Sequence, residues 1–431
     1  MDLTIDRKTQ PDIRPIRAID LMESENLKLA NGLQVHLLNL GTQDLVKIEL
    51  VCEAGLAYQS KTLISSFTNK MLAEGTKSYS AYEIAETFDR YGAYYSTNID
   101  KDFASVALYC LTKYLDQVLP VFAEIICEPL FPDNELQILA NKSKQEFIIN
   151  LKKVKSLAQL YFPPLIFGNN HPYGQIAGID DFNKVTHEDI RTFYQKSYLN
   201  ADSKLFISGK LDKNIIEKLN HTLSQFNIKL NSNAIMPDFS SNANTEKFKQ
   251  IKVKDTLQSA IWVGKKIFNK FHPDFIGMQV LNTALGGYFG SRLMTNIRED
   301  KGFTYGIGSS IVSHKYDGYL AIQTEVGTKH TDATLTEIYK EIKLLQTKLI
   351  GTEELELIKN FLTGQLIRSM DGPFAVHEKL KAVVLYNFDM QYYQRYIHEV
   401  STISPETLKQ LANEHLQKNS LSELIVGKLK V

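Results

Sequence analysis

The chain has 431 residues, of which 43% are hydrophobic, 23% charged and 10% aromatic. That make-up suits a globular protein with a core large enough to need no disulfide or metal staple, and it excludes disordered and collagen-like classes. The 49 Lys and Arg residues balance 49 Asp and Glu, so the basic excess of a nucleic-acid binder is missing, and no run of about 18 apolar residues offers a membrane span.

Taken in order, residues 1–21 carry charge throughout and lack the apolar centre of a secretory signal. Leu33–Leu40 and Leu45–Val51 are apolar, partly alternating runs that predict strands on either side of the turn Gly41-Thr42-Gln43-Asp44. Helices are predicted over 62–73 and 80–91, strands over 93–99 and 103–110, and long helices over 113–127 and 132–153, with further helix to 167. The stretch 228–246 is rich in Asn, Ser and Asp, has no periodicity and reads as a linker. Beyond it come a strand at 258–265, helices at 273–285 and 291–299, strands at 303–312 and 317–325, and helices from 330 to 417. Cys52, Cys110 and Cys127 are odd in number and each sits in an apolar run, which suits reduced thiols packed in a core and a cytoplasmic location.

The chain also repeats itself. Residues 185–211, VTHEDIRTFYQKSYLNADSKLFISGKL, match residues 403–429, ISPETLKQLANEHLQKNSLSELIVGKL, at a gapless offset of 218. Both segments begin with a Thr or Ser helix cap, run through a helix and a polar turn, and end on a short apolar strand. Two similar α+β units follow, 1–227 and 247–431, each a largely antiparallel sheet with packed helices.

Chemistry-bearing motifs are few. The ten histidines never fall within five residues of one another, so no helix offers the paired histidines of a zinc peptidase. No Gly-x-Ser-x-Gly elbow occurs, and Gly286-Gly287-Tyr288-Phe289-Gly290-Ser291 lacks the Lys-Ser/Thr ending of a phosphate loop.

One segment, LISSFTNKMLAEGTKSYSAYEIAETFDRYGA, resembles the zinc-site region of insulinase/pitrilysin-type metallopeptidases, where His-x-x-Glu-His precedes Met-Leu, Gly-Thr and Ser-Ala-x-Glu. The flanks Met71-Leu72, Gly75-Thr76 and Ser80-Ala81-Tyr82-Glu83 remain. Ser66 and Lys70 stand at the two histidine positions and Asn69 at the catalytic glutamate. The family's third ligand, a Glu 76 residues beyond the second His, falls on Glu146. Catalytic Zn²⁺ needs three N, S or carboxylate ligands, so the resemblance implies no metal in this chain and an ion pair between Lys70 and Glu146 in the emptied site. The strand NGLQVHLL and the HPYGQIAG segment at 171–178, whose His171 reads as a turn or packing residue, extend the resemblance over nearly the whole chain.

The second unit holds LGGYFGSRLMTNIREDKGFTYGIGSS, similar to the family's substrate motif, in which an Arg precedes a Tyr by seven residues. Arg298 and Tyr305 have that spacing, and Arg292 is a further candidate for backbone or substrate contact. A guanidinium and a phenol are two donors able to hold a peptide carbonyl and its developing oxyanion. The resemblance implies the zinc-less subunit of a heterodimeric metalloendopeptidase. A homologous partner would carry the zinc, unstructured peptides would be the substrates, and neither nucleic acid nor membrane would be bound; whether a homodimer forms without that partner stays open. The alternative is a non-catalytic scaffold or peptide-binding protein similar to core subunits of respiratory cytochrome complexes.

Overall fold

A computed structural model describes residues 9, 23–199, 202–211, 213–223, 225–226, 236–240 and 246–427. The charged N-terminal stretch up to residue 22, apart from residue 9, and most of the 228–246 segment lie outside the described residues.

In the first unit the strands are β1 (Glu25–Lys28), β2 (Gln34–Asn39), β3 (Leu45–Cys52), β4 (Tyr94–Ile99), β5 (Ala104–Leu111) and β6 (Lys204–Gly209). Its helices are α1 (Ile64–Met71), α2 (Ala81–Arg90), α3 (Leu115–Cys127), α4 (Asp133–Asn150), α5 (Val154–Phe167), α6 (His187–Ser197) and α7 (Ile215–Leu223). The second unit has β7 (Phe248–Lys252), β8 (Gln258–Ile267), β9 (Ile307–Ser313), β10 (Gly318–Gly327) and β11 (Ser422–Gly427). With them go α8 (Phe275–Asn282), α9 (Thr331–Thr347), α10 (Thr352–Arg368), α11 (Pro373–Leu385), α12 (Tyr392–Thr402) and α13 (Pro405–His415). Two five-residue or longer π-helical turns, 283–287 and 294–300, bracket the Gly-rich loop. This is the mixed α+β class expected from the sequence.

The two sheets have matching topology. The first runs β1-β2-β6-β3-β5-β4 and the second β7-β11-β8-β10-β9. In each, one strand pairs parallel (β2 with β6, β7 with β11) and the other neighbours are antiparallel. The sequence repeat maps onto this symmetry residue by residue. The caps Thr186 and Ser404, the helices α6 and α13, and the strands β6 and β11 are each related by the same offset of 218. Both caps work as their residue types predict: Thr186 accepts from the Asp189 amide and Ser404 from the Thr407 amide.

The units exchange equivalent helices. Helix α5 of the first unit packs across β8 and β11 of the second, with Phe162 against Trp262 at 4.9 Å between ring centres. Helix α11 of the second unit packs over β6 of the first, where Val376 and Leu380 meet Leu38. Polar alternation at Lys47 and Glu49 would suit a solvent-facing strand side, yet both are buried because α11 covers that face. Phe239, inside the expected linker, stacks on Tyr316 at 4.3 Å and lies 5.0 Å from Tyr173, so this piece of the connection packs into the seam between the units.

Candidate functional site

Helix α1 carries the degenerate motif. Its apolar stripe, Ile64, Phe67 and Met71, is buried in the first core, which fixes where the other positions point. The Ser66 hydroxyl donates to the Leu63 carbonyl at 3.0 Å, a bond within its own turn. Asn69 is buried; its amide nitrogen donates to the Ser105 carbonyl at 3.2 Å and to the Tyr198 hydroxyl at 3.1 Å. The catalytic-glutamate position has thus become a core hydrogen-bond hub. Helices α1 and α4 are neighbours, as the motif requires. The expected ion pair between Lys70 and Glu146 is not formed, however: both are exposed and neither has an ion-pair partner among the described residues. The reason is hydration, since two exposed charges gain little from pairing and lose side-chain freedom. A hydroxyl spent on its own helix, an engaged amide and an ammonium do not fit a zinc ion, and these residues do not form a metal site. The flanks keep their structural roles, with Ser80 and Glu83 closing a reciprocal cap at the start of α2.

Arg298 and Tyr305 come together. They line one open cavity of about 610 Å³ with Gln258, Glu299, Phe303 and Glu325. Tyr305 also borders a second cavity of about 570 Å³, floored by Trp262, Met294 and Ile307, with Lys155 from α5 on its wall. Arg298 lies in the second π-helical turn, and β9 begins only at Ile307, later than the sequence suggests. Tyr305 therefore stands on the connecting loop, 96% exposed, and its hydroxyl has no hydrogen-bond partner among the described residues. The Arg298 guanidinium rests 4.5 Å over the exposed ring of Phe289 and has a loose 3.7 Å contact with Glu299. An aromatic platform of this kind orients the planar cation while leaving its edge N–H groups free. Phe289 was not singled out by sequence; its exposed place in a Gly-rich turn beside an Arg is the signal that could have found it.

The other candidates are structural. Arg292 makes a two-pronged pair with Glu354 of α10, both bonds at 2.7 Å, rather than reaching for backbone or substrate. His171 is buried and caps its turn by accepting the Tyr173 amide at 3.1 Å, the turn-and-packing role expected of it. The Tyr173 hydroxyl donates to Asp102, which also accepts the Lys315 amide from the second unit at 2.8 Å. Burial pushes the Asp102 carboxyl up to about 6, against the pull of these donors. Ser208, His377 and Glu49 form a row at 2.8 and 2.9 Å that mimics a hydrolase triad. All three are buried between β-sheet and α11, beyond any substrate, so the row serves the exchanged helix. Cys52 and Cys110 are buried and Cys127 nearly so; desolvation raises the first two thiols to about 11 and 12 and the third further. They are therefore unreactive.

Two family models match the chain. The one described as Insulinase (Peptidase family M16) matches residues 34–158, and the one described as Peptidase M16 inactive domain matches residues 184–362. The chain belongs to the insulinase, or M16, peptidase family. Among its M16 relatives is the uncharacterized zinc protease YmxG of Bacillus subtilis, 25% identical over 346 residues, with 79% of this chain and 83% of that one covered. The non-peptidase homolog YmxG of Helicobacter pylori is 24% identical over 381 residues, covering 84% and 83%. The rat mitochondrial-processing peptidase subunit alpha is 20% identical over 437 residues, covering 95% and 83%. A crystal structure of a peptidase M16 inactive domain from Pseudomonas fluorescens superposes with a TM-score of 0.85 at 21% identity, covering 95% of this chain and 99% of that one. The M16 fold, and the presence of inactive members among the relatives, accord with the emptied motif on α1. No described helix is long and apolar enough to cross a membrane.

Proposed function

We propose that this M16 chain is the zinc-less subunit of a two-chain metalloendopeptidase and supplies substrate and transition-state contacts to a site carried by a homologous partner. One observation carries the proposal: Arg298 and Tyr305 line one open cavity, with Tyr305 almost fully exposed and Arg298 resting on Phe289 with only a loose contact to Glu299. A scaffold has no use for a fully exposed phenol beside a guanidinium held on an aromatic platform. The partner, with an intact His-x-x-Glu-His helix, supplies the metal and the attacking water. In this chain the Tyr305 hydroxyl donates to the carbonyl oxygen of the scissile peptide as charge develops there, and Arg298 adds charged donors to the same oxygen or to the adjoining carbonyl. Phe289 holds the guanidinium in place, which lowers the reorganisation needed as the substrate binds.

The test is reconstitution. A zinc-bearing M16 relative from the same genome, inactive or weakly active alone, should gain cleavage of an unstructured quenched peptide when this chain is added. The gain should vanish with Arg298→Ala/Tyr305→Phe. Complex formation without any gain would assign the scaffold role instead, and the absence of complex formation with every such relative would remove the heterodimer.

A further inference from the structure

Two groups of histidine and carboxylate side chains in this protein have the spacing of metal ligands: Glu49, His377 and Glu378, and Asp274, Glu414 and His415. They differ in how their charge is balanced. In the first group Glu49 and His377 are buried, Glu378 is exposed, and two lysines stand among them. Lys47 reaches Glu49 at 2.8 Å and Glu378 at 2.6 Å, and Lys381 reaches Glu49 at 2.9 Å and Glu378 at 2.7 Å. Two ammonium groups already neutralise two carboxylates there, and a metal ion has no room in that ledger.

The second group has no such cation. His415 ends α13 and Asp274 caps α8, two helices that pack together. The Asp274 carboxylate makes no capping bond to its own helix, the usual role of an Asp at that position. It turns instead to His415, with 2.9 Å between Oδ2 and Nε2. Glu414 Oε2 lies 3.9 Å from the same nitrogen, while its Oε1 accepts from Gln410 at 2.8 Å. Among the described residues no Lys or Arg pairs with either carboxylate; their ion-pair partners are His415 and, for Asp274, His272 at 3.8 Å. His272 is itself fixed, stacked on Phe268 at 3.8 Å and accepting the Asp274 amide at 3.1 Å. One imidazole N–H can serve only one of two carboxylates, so the other is left facing a like charge.

We propose that Asp274, Glu414 and His415 bind a divalent zinc-class cation in the second unit, with water completing a tetrahedral shell. The three ligand atoms lie within 4.8 Å of one another, and zinc bonds of about 2.0–2.2 Å would draw them closer together. The cation replaces the His415–Asp274 hydrogen bond with two metal bonds and relieves the repulsion between the carboxylates. An imidazole nitrogen among the ligands favours Zn²⁺ over Ca²⁺ or Mg²⁺, which prefer all-oxygen shells. The ion would clip the start of α8 to the end of α13, so its role is structural. It uses none of the residues of the emptied motif on α1.

The experiment is a calorimetric titration of the untagged full-length chain with Zn²⁺ alone, with melting curves in parallel. The expected result is one saturable site per chain, a melting temperature that rises with Zn²⁺ and no comparable response to Ca²⁺ or Mg²⁺. Glu414→Gln, an exposed isosteric change that leaves folding intact, should weaken that site by roughly tenfold or more, and His415→Gln should abolish it. The absence of a saturable site up to about 1 mM Zn²⁺, a concentration at which even weak exposed sites fill, overturns the proposal. So does a site of unchanged affinity in both variants, which would place the ion on other surface histidines.

Discussion

The Asn69 amide nitrogen donates to the Tyr198 hydroxyl at 3.1 Å, on the helix turn where M16 peptidases with the full motif carry their catalytic carboxylate. The same nitrogen holds the Ser105 carbonyl of β5, which a carboxylate could not do. Asn69→Ala should therefore cost about 1–3 kcal/mol by leaving buried groups unpaired. Asn69→Asp should be no better, because an ionised oxygen would face a carbonyl. Urea unfolding of both variants checks this, and a loss under about 0.5 kcal/mol, the size of an ordinary surface change, would show that the buried amide holds nothing.

Tyr305→Phe removes an exposed hydroxyl with no partner among the described residues, so melting and partner binding should stay unchanged. If the hydroxyl donates to the developing oxyanion, turnover of the reconstituted pair should fall roughly 100- to 1000-fold, about 2.7–4 kcal/mol. Arg298→Lys should also be harmful, since a point charge does not reproduce the planar fork over Phe289. The two losses should be less than additive if both donors serve one oxygen. Steady-state cleavage with melting curves alongside decides the matter; full activity in Tyr305→Phe would take that residue out of the mechanism.

Glu49 is the shared anion of the face covered by α11, bonded to His377 and paired with Lys47 and Lys381. Glu49→Gln should destabilise by about 3–5 kcal/mol because the buried Lys47 and its neighbour Lys381 are left to share one half-exposed carboxylate, Glu378. Lys47→Met added to Glu49→Gln should recover part of that loss, since Glu378 still pairs with Lys381 and the glutamine oxygen still accepts from His377. A double variant as unstable as the sum of its parts, measured by denaturant unfolding, would mean that the pair is not coupled.

Stability should fall on mild acidification. Burial, helped by Lys101, lowers His314 to about 4, and burial with Lys204 lowers His36 to about 4, against 6.5 when unfolded. Each contributes stability present above 6.5 and lost as pH drops toward 4. Asp102, raised to about 6 from 3.8, acts in the opposite sense: its contribution is full below 3.8 and is lost as pH rises through 6. Two histidines against one aspartate leave net proton uptake on unfolding within this window. Melting temperatures measured from pH 7 to pH 4.5 should decline, and His314→Gln should make the decline shallower. A flat profile would mean that these imidazoles are hydrated in solution.

The sequence by itself determined the mixed α+β class, the internal repeat and the loss of the zinc-ligand residue types from the α1 motif. The offset of 218 recurs in caps, helices and strands because capping and alternation are local physics, readable wherever a Thr or Ser precedes a helix or apolar residues alternate along a strand. The loss of the α1 motif was legible because ligand chemistry is set by residue type, and its failure needs no coordinates. Tertiary structure decided what the leftover residues do. Lys70 and Glu146 stand apart because both keep their water, a matter of exposure that spacing does not encode. Lys47, Glu49 and His377 read as ordinary polar positions, and only the exchange of α5 and α11 between the units buries them together. Arg298 and Tyr305 had the right spacing, but the π-helical turn packed on α9 and β9, and the late start of β9 against β10, place the guanidinium over Phe289 and leave the phenol free in the cavity.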